Sequence, residues 1–361
     1  MKIFHIETGR HFLGGPQQVI YLINALDKLG HDNTLICHPG SGIDLEARKG
    51  GIKVKNFPCF GDLDLLFAYR LSNFLKKQLP NIVHCHSRRG ADLLGGFAAA
   101  NSNIPAVLSR RVDNSERKFF ARRRYKKFKK IIVISEAISS VLKKSSIEDE
   151  HIEIIRDAVD ISVFSKKPDY EFFKNEFRFS GDGFIAAAAG QLIPRKGHKY
   201  LLQAIVKVKE KFPNFKLIIF GEGSLSRKLQ EQVILLKLND TVKFAGFYNN
   251  LDDFIGCFDL FIHPSTTEGL GVAVLKAAAA GVPVIASRVG GLPEAIDDNK
   301  TGLLIKPRSA SEIQNAIVTL IENDELRSKY SEAGKLKMKK EFSISTMADK
   351  HVDLYESLIC A

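Results

Sequence analysis

The residues of this sequence whose types most directly suggest a chemical role are two cations in a loop bounded by glycines. Arg195 and Lys196 precede Gly197 in the stretch GQLIPRKG, residues 190–197, which follows an apolar segment and leads into a helical pattern. A lysine ammonium is a compact point charge and an arginine guanidinium is a planar fork, so the pair suits the oxygens of a diphosphate. A solvated loop with incidental charges explains the same residues.

An acidic side chain occupies a similar position further along, in PSTTEGLGVAVLKAAAAG, residues 264–281. Glu268 precedes Gly269 and Gly271 and stands at the entrance of a helix of small residues. A carboxylate held beside glycine N–H groups can accept hydrogen bonds from sugar hydroxyls. Glu268 could also serve only as a favourable negative charge at the N-terminus of the helix.

The pair Gly14 and Gly15 follows the first apolar strand, and we expect Gly14 to Pro16 to form a loop. Glycines allow backbone N–H groups to approach a phosphate, whose charge the next helix N-terminus favours. The pattern G-x-G-x-x-G of dinucleotide-binding proteins is absent. An ordinary tight turn is an equally good interpretation of these two glycines.

Histidines and cysteines form no metal-binding pattern in the sequence. His84 and His86 stand at the end of an apolar strand, and we interpret their side chains as pointing to opposite faces, so that only one can reach a ligand. The five cysteines are scattered and form no C-x-x-C pair, which predicts neither a disulfide framework nor a zinc site. We therefore predict no metal and no cofactor.

Residues 117–130, RKFFARRRYKKFKK, carry nine basic side chains and no acidic one. Basic residues interspersed with Phe119, Phe120, Tyr125 and Phe128 fit an anionic membrane surface; they also fit nucleic acid. On a merely solvated helix face, nine like charges would repel one another. We favour the membrane and expect no nucleic acid. The residues assigned to the membrane are Arg117, Lys118, Phe119, Phe120, Arg122, Arg123, Arg124, Lys126 and Lys127.

The composition is that of an ordinary globular chain, with 45% hydrophobic and 26% charged residues and a net charge of +12. Its 361 residues suggest two domains, because single hydrophobic cores stop growing near roughly 250–300 residues. No apolar run approaches the roughly 20 residues that span a bilayer, and the N-terminal MKIFHIETG is too polar for a signal peptide. We predict a cytoplasmic protein, peripheral on the inner face of the cytoplasmic membrane.

Strands and helices alternate along both halves of the chain, which indicates an α/β fold. Polar and aromatic sequence at about 158–182 marks the boundary between the halves. We predict two Rossmann-like, doubly wound parallel-sheet domains facing a cleft, with ligands beyond the carboxyl ends of the strands. The predicted strands are 2–6, 34–37, 82–85, 106–109, 131–134, 184–188, 216–220, 259–263, 283–287 and 303–305. The predicted helices are 19–29, 91–100, 136–144, 200–211, 225–238, 272–280 and 310–322.

These motifs together resemble the retaining glycosyltransferases of the GT-B fold, family 4, which use nucleotide sugars. The resemblance covers nearly the whole chain, is most specific in the second half, and is closest to enzymes that build lipopolysaccharide core or other surface glycans. The segments that carry it are GGPQQVIYLINALDKLGH (14–31), IVHCHSRRGADLLGG (82–96), IIVISEAI (131–138), GQLIPRKG (190–197), FGEGSL (220–225), HPSTTEGLGVAVLKAAAAGVPVIAS (263–287) and GGLPEAI (290–296).

The resemblance implies an N-terminal acceptor-binding domain, 1–160 joined by a C-terminal helix at 343–361, and a donor-binding domain, 161–342. It implies that Lys196 binds the donor diphosphate and Glu268 orients the donor sugar, as catalytic residues of a metal-independent transfer. The further donor-binding residues are Gly14, Gly15, Gln191, Arg195, Gly221, Gly269, Leu270, Gly271, Val272 and Lys276. The acceptor, a glycan or a lipid-linked sugar, is assigned to His86, Arg110 and Arg111.

Three positions depart from the family pattern. Lys276 stands where a second acid normally holds the ribose hydroxyls, and an ammonium cannot accept hydrogen bonds from them. Gln191 replaces an arginine of the phosphate loop, and Arg111 replaces a histidine that faces the donor sugar. A nucleotide-sugar 2-epimerase-like enzyme and a degenerate, non-catalytic sugar-nucleotide-binding protein remain as alternatives.

Overall fold

A computed structural model describes residues 1–87, 90–177, 183–248 and 250–360. The chain divides into two compact units. Unit 1 is Met1–Ala158 together with the C-terminal segment that begins at Ile344, and unit 2 is Val159–Ser343. Part of the expected boundary, residues 178–182, and residues 88 and 89 of the segment 82–96 lie outside the described residues.

Unit 1 is built on a seven-stranded sheet whose neighbouring strands all pair in parallel. Its strands are β1 (Lys2–Glu7), β2 (Asp32–Cys37), β3 (Val54–Asn56), β4 (Ile82–Cys85), β5 (Ala106–Arg110), β6 (Lys130–Val133) and β7 (Ile152–Ile154). Their spatial order is β3-β2-β1-β4-β5-β6-β7. The central strands are buried along nearly their whole length, as expected for a parallel sheet covered on both faces by helices.

Unit 2 is built on a six-stranded sheet that is also parallel throughout. Its strands are β8 (Ile185–Ala189), β9 (Lys216–Phe220), β10 (Val242–Gly246), β11 (Leu260–His263), β12 (Val284–Ser287) and β13 (Leu303–Ile305). Their spatial order is β10-β9-β8-β11-β12-β13. The predicted fold class, two parallel-sheet α/β domains, is therefore confirmed.

Most helices are crossovers between consecutive parallel strands. The α-helices are α1 (Gly14–Lys28), α2 (Gly42–Lys49), α3 (Leu65–Gln78), α4 (Gly96–Asn101), α5 (Lys118–Tyr125), α6 (Glu136–Lys144), α7 (Tyr170–Phe177), α8 (His198–Lys211), α9 (Ser226–Leu235), α10 (Leu251–Phe254), α11 (Val272–Ala279), α12 (Leu292–Ala295), α13 (Ala310–Ile321), α14 (Asp324–Glu341) and α15 (Ile344–Ile359). A π-helical turn, Ala91–Gly95, precedes α4. The 3-10 turns are Asp149–His151, Ile161–Ser165, Pro194–Lys196 and Ile255–Cys257.

The start of α1 differs from the expectation that residues 14–16 form a loop. Gly14 and Gly15 already belong to the first turn of the helix, and Leu13 is its N-cap. The connection after β1 is therefore residues 8–13. Pro16 does not prevent this, because a proline is tolerated in the first turn, where its missing N–H has no helical partner.

The C-terminal helix α15 packs into the core of unit 1, although some 180 residues of unit 2 precede it in the chain. Met347 and Tyr355 are buried in one cluster with Leu22 and Leu26 of α1. Such apolar burial stabilises by roughly 25 cal/mol per Å² removed from water, so it holds the last helix on the first sheet. None of the helices in the described ranges is long and apolar enough to cross a bilayer.

The two sheets have the same point of reversal in their strand order. It lies between β1 and β4 in unit 1 and between β8 and β11 in unit 2. Open α/β sheets bind ligands in the crevice between the loops that follow such a pair of strands. Each unit therefore has one crevice in which a ligand site is expected.

Candidate functional site

The crevice of unit 2 is formed by the loop after β8, residues 190–197, and the loop after β11, residues 264–271. The backbone N–H of Thr266 donates to the carbonyl oxygen of Arg195 at 2.7 Å, which ties the two loops together. The two segments with the plainest chemistry in the sequence are thus neighbours in space.

Lys196 and Glu268 form an ion pair in this crevice. The Lys196 Nζ lies 2.5 Å from Oε2 of Glu268. Nε2 of His263, the last residue of β11, lies 2.8 Å from the same oxygen, and Oγ of Ser265 lies 3.3 Å from it. No described residue donates a hydrogen bond to the other oxygen, Oε1, which leaves it available to a ligand.

The ion pair is nearly enclosed, with 12% of the Lys196 side chain and 10% of the Glu268 side chain exposed. Burial by itself raises the pKa of the Glu268 carboxyl, but the hydrogen bond from His263 and the charge of Lys196 outweigh it and hold that pKa well below its usual range. Burial, with the charge of Lys196, lowers the pKa of His263. At neutral pH the site therefore combines a carboxylate, an ammonium and a neutral imidazole that donates its Nε2 proton.

Two glycines allow the backbone to reach this arrangement. Gly197 has a φ of +70°, and a Cβ there would lie 2.0 Å from the carbonyl oxygen of Pro264. Gly290, in the turn after β12, has a φ of +55°, and a Cβ there would lie 1.6 Å from the carbonyl oxygen of Glu268. A larger residue at either position would displace one of the two loops, so these glycines position the ion pair.

The other residues of unit 2 predicted to bind a donor lie in the loops after β8 and β9 and in or just before α11. Gln191 and Arg195 are exposed in the loop after β8. Gly221 follows β9 and packs against the carbonyl group of Gly190. Residues 269–272 form the turn into α11, in which Gly271 is the N-cap and Leu270 is buried, with Val272 as the first helical residue.

Lys276 lies in α11 and pairs with Asp252 of α10. The two charged atoms, Nζ and Oδ2, are 2.7 Å apart, and about a fifth of each side chain is exposed. The charge of Lys276 is therefore compensated inside unit 2.

The crevice of unit 1 contains a cavity of about 380 Å³. Arg111 reaches it from the end of β5, with its Nε donating to Oδ1 of Asp157 at 3.0 Å. Glu7, at the end of β1, also lines the cavity, and burial raises the pKa of its carboxyl. Gly14 begins α1 beside it. The residues predicted for ligands that line the cavity are Gly15, His86, Arg110 and Arg111.

Arg110 lines the same cavity, but its guanidinium is already engaged. It donates to the carboxylate of Glu116, to the hydroxyl of Tyr125 and to the carbonyl of Asn114. Because these contacts neutralise a buried charge, Arg110 holds the segment after β5 in place. Arg111 is the better candidate for contact with a ligand.

The expectation that His84 and His86 point to opposite faces is wrong, because residues two apart on a strand share a face. Their ring centroids are 3.7 Å apart, and Nε2 of His86 is 3.1 Å from Nδ1 of His5. Nitrogen atoms of these three histidines all lie within 4.8 Å of one another, a spacing that could hold a metal ion. Both nitrogens of His84 are bonded, to Tyr355 at 2.6 Å and to Ser109 at 2.8 Å, so we assign His5 and His84 to the stability of unit 1, whereas His86 lines the cavity. That no metal binds stays a prediction.

The basic segment 117–130 forms α5 and the turn after it, and part of it faces inward. Tyr125 and Phe128 are each only 3% exposed, so the expectation of four aromatic membrane anchors is wrong for these two. Phe119 and Phe120 remain well exposed. The sequence could not separate the two pairs, because α5 lacks a clear apolar stripe.

Arg124 is also turned into unit 1. It lies 3.3 Å from Asp92 and 3.1 Å from Glu116, with 17% of its side chain exposed, and these contacts remove it from the residues that can face a membrane. Lys127 is partly buried over the ring of Phe97. The assigned cations that are fully on the surface are Arg117, Lys118, Arg122, Arg123 and Lys126.

Several polar partners of the site residues were absent from the sequence-based prediction, among them His263, Ser265, Asp252 and Asp157. His263 and Ser265 flank the end of β11, and their place just before a loop carboxylate was a usable signal. Asp252 and Asp157 are distant in sequence from their partners, Lys276 and Arg111, and only the fold brings each pair together. No local sequence pattern predicts these two contacts.

Two family models match the chain. The model for glycosyl transferases group 1 matches residues 169–337, and the model for glycosyltransferase family 4 matches residues 14–163. Among curated relatives, the lipopolysaccharide core biosynthesis glycosyltransferase LpsE of Rhizobium meliloti is 24% identical over 367 aligned positions, which cover 99% of each chain.

Solved structures share the fold. A glycosyltransferase from Rickettsia africae is 22% identical with a TM-score of 0.89, covering 99% of this chain and 98% of that one. HepE of Anabaena, solved in complex with UDP, is 19% identical with a TM-score of 0.87, covering 99% of this chain and all of that one. At these identities the likeness concerns the fold alone.

Proposed function

The chain belongs to the glycosyltransferases of group 1 and family 4, and from this premise we propose that it transfers a sugar from a nucleotide sugar to a glycan or lipid-linked acceptor, with retention of configuration. The observation that carries the proposal is the Lys196–Glu268 ion pair in the crevice of unit 2. It combines a cation for a diphosphate with a carboxylate for sugar hydroxyls. The relative LpsE acts in lipopolysaccharide core biosynthesis, which leads us to propose a lipopolysaccharide or another surface glycan as the product.

In the proposed donor complex, the diphosphate replaces Glu268 as the main partner of Lys196. Arg195, exposed in the same loop, supplies a second cation, and the N-terminus of α11 adds its dipole. The Glu268 carboxylate is then free to accept hydrogen bonds from the donor sugar through Oε1 and Oε2. Because the positive charges of Lys196 and Arg195 are in place before the donor binds, the site is preorganised for the negative charge that develops on the departing diphosphate.

The transfer step breaks the bond between the anomeric carbon and the diphosphate oxygen and forms one to the acceptor hydroxyl oxygen. We propose that the acceptor attacks from the face that the diphosphate leaves. The proton of the acceptor hydroxyl passes to an oxygen of the departing diphosphate. Because the attack comes from the face that the diphosphate leaves, the configuration is retained. Lys196 and Arg195 supply the positive charge, and the step as proposed requires neither a metal nor a cofactor.

The proposed acceptor site is the cavity of unit 1, with Arg111 and His86 as its polar contacts. Whether Gly14 and Gly15 contact the donor phosphates stays a prediction. We further propose that the enzyme is cytoplasmic and docks on an anionic membrane through the exposed cations of α5, each of which contributes about 1 kcal/mol near such a surface.

The proposal is tested by incubating the purified protein with labelled UDP- and GDP-sugars and lipid-linked glycan acceptors, with and without a metal chelator. Transfer of label with the anomeric configuration retained, unaffected by the chelator, is the expected result. Release of a 2-epimerised free sugar would indicate the epimerase-like alternative, and nucleotide binding without turnover the non-catalytic one. An inverted product, or activity lost to the chelator, would contradict the mechanism.

A further inference from the structure

Unit 1 displays a cluster of large apolar side chains that the transfer reaction does not use. They lie in the connection before α3 and on its first turns, and each is between 67% and 92% exposed. We name them the α3 apolar surface: Phe60, Leu63, Leu65, Leu66 and Tyr69. Contiguous apolar exposure of this kind marks a binding surface, whereas singly scattered residues need no explanation.

The packing of α3 does not require these side chains. The helix buries Phe67, Leu71 and Leu75, which recur at four-residue intervals on its opposite face. A helix that packs by one face on a core normally presents polar residues on the other. The first turns of α3 are instead apolar on both faces, so the outer face is available to a second apolar phase.

The connection before α3 is held in a defined shape. Asp64 accepts a hydrogen bond from Phe67 N at 2.9 Å as the N-cap of α3, and another from Phe60 N at 3.1 Å. Asp62 accepts one from Gly90 N at 2.8 Å. The two acids among the apolar residues are thus bonded to the backbone, and the apolar side chains project from an ordered turn.

The α3 apolar surface lies beside the basic helix α5. Gly90, which donates to Asp62, is two residues before Asp92, and Asp92 pairs with Arg124 of α5. Arg70 adds an exposed cation on α3 itself. Exposed apolar residues flanked by exposed cations match the two layers of an anionic bilayer interface, with acyl chains inside and negative headgroups outside.

The same connection borders a cavity of about 710 Å³, which Phe60 and Leu63 line together with Arg10. Arg10 also lines the cavity of the unit 1 crevice. A lipid-linked acceptor that remains in the bilayer would therefore have its head group next to the proposed acceptor site.

We propose that the α3 apolar surface inserts into the interface of an anionic bilayer while the exposed cations of α5 contact the headgroups. The inference rests on the proposed membrane docking of α5 and adds the part that enters the acyl layer. The two contributions differ in their response to salt, because screening weakens attraction between charges and leaves apolar insertion in place.

A tryptophan probe tests insertion directly, since the chain contains no tryptophan. Leu63→Trp is the probe, and Leu235→Trp, at a position of α9 in unit 2 that is 80% exposed against 92% for Leu63, is the matched control. With vesicles of phosphatidylglycerol and phosphatidylcholine, the emission at position 63 should shift to the blue and be quenched by brominated acyl chains. The emission at position 235 should not change.

Substitutions separate the two contributions. Leu63→Asp with Leu66→Asp should lower vesicle partitioning at least tenfold at low and high salt, without changing nucleotide affinity. Ile234→Asp with Leu235→Asp should change neither. Arg122→Glu with Arg123→Glu should lower partitioning mainly at low salt.

Three results would overturn the inference. Vesicle binding that depends on the α5 cations without any response at position 63 would leave the docking proposal intact and remove insertion. Self-association that Leu63→Asp abolishes in the absence of lipid would assign the α3 apolar surface to a second copy of the chain. Loss of all vesicle binding in the wild-type protein would defeat both proposals and leave the transferase proposal untouched.

Discussion

The crevices of unit 1 and unit 2 follow equivalent strands of sheets with the same order, yet their polar residues lie at different depths. Lys196 and Glu268 stand in loops beyond the strand ends, where they form an ion pair with 12% and 10% of the two side chains exposed. His5 and His84 stand inside β1 and β4, where burial lowers the pKa of both imidazoles. A few residues of offset from the strand end thus separate a ligand site from a polar part of the core.

Glu268→Gln, which changes the crevice of unit 2 alone, is expected to have the largest effect, and that effect is on turnover. The amide keeps the size of the side chain but cannot balance Lys196 or accept two hydroxyl hydrogen bonds. We expect turnover to fall about 10³-fold, or roughly 4 kcal/mol of barrier, with a modest loss of thermal stability because Lys196 loses its partner. Steady-state kinetics measures this, with the exposed Glu231→Gln as control. Wild-type turnover would reduce Glu268 to a helix-capping charge.

The buried histidines of unit 1 predict a dependence of stability on pH. Burial lowers the pKa of His5 to about 4 and that of His351 to about 3. Below about pH 6.5 the unfolded chain takes up protons that these folded imidazoles do not, so the free energy of unfolding falls as the pH drops. For His5 alone the loss approaches roughly 3 kcal/mol by pH 4.

Urea denaturation between pH 7.5 and pH 5 measures this effect. His198 and His263 of unit 2 also have lowered pKa values and add to the slope. His351→Phe should therefore flatten the dependence only in part. An unchanged slope in His351→Phe would show that His351 is not held neutral by the fold.

Lys196→Ala tests whether the ion pair of unit 2 is a binding site for phosphates. Loss of a charged hydrogen bond should weaken nucleoside diphosphate binding by roughly 1.5–3 kcal/mol, or about 10- to 150-fold. Calorimetry should show no change for the nucleoside without phosphates, nor for Lys199→Ala, an exposed lysine of α8. If Lys196→Ala bound the diphosphate as tightly as the wild-type protein does, the ion pair would only stabilise the fold of unit 2.

Lys276→Glu has the smallest expected effect and sharpens the picture of unit 2. A carboxylate at position 276 could accept ribose hydroxyls, so the affinity for free nucleoside should rise several-fold. The substitution also places two acids together, so Asp252→Asn is combined with it to remove the repulsion. Calorimetry with nucleoside, nucleoside diphosphate and nucleotide sugar is the measurement. If donor binding were abolished, Lys276 would contact a negative group of the donor. If all three affinities were unchanged, Lys276 would not face the donor.

The sequence predicted part of what depends on local pattern, but it did not predict β3, β7 and β10 or the helices α2, α3 and α14. The apolar run of β11, the glycines after it and the small-residue helix α11 are adjacent in the chain, so the place of Glu268 could be read directly. Its pairing with Lys196 joins residues 72 positions apart, and only the parallel order of β8 and β11 brings them together. The inward side of α5 was hidden because basic and aromatic residues alternate there without an apolar stripe.

The return of α15 to unit 1 sets the order in which the molecule can be completed during synthesis. Unit 2 is one continuous stretch, Val159–Ser343, so all of its residues are made before α15. Unit 1 must wait, because the hydrogen bond between His84 and Tyr355 closes a loop of 271 residues. Its sheet therefore stays without the covering helix α15 until residues 344–359 have been made. A chain that stopped before Ile344 would contain the whole Lys196–Glu268 crevice but would lack the last helix of unit 1.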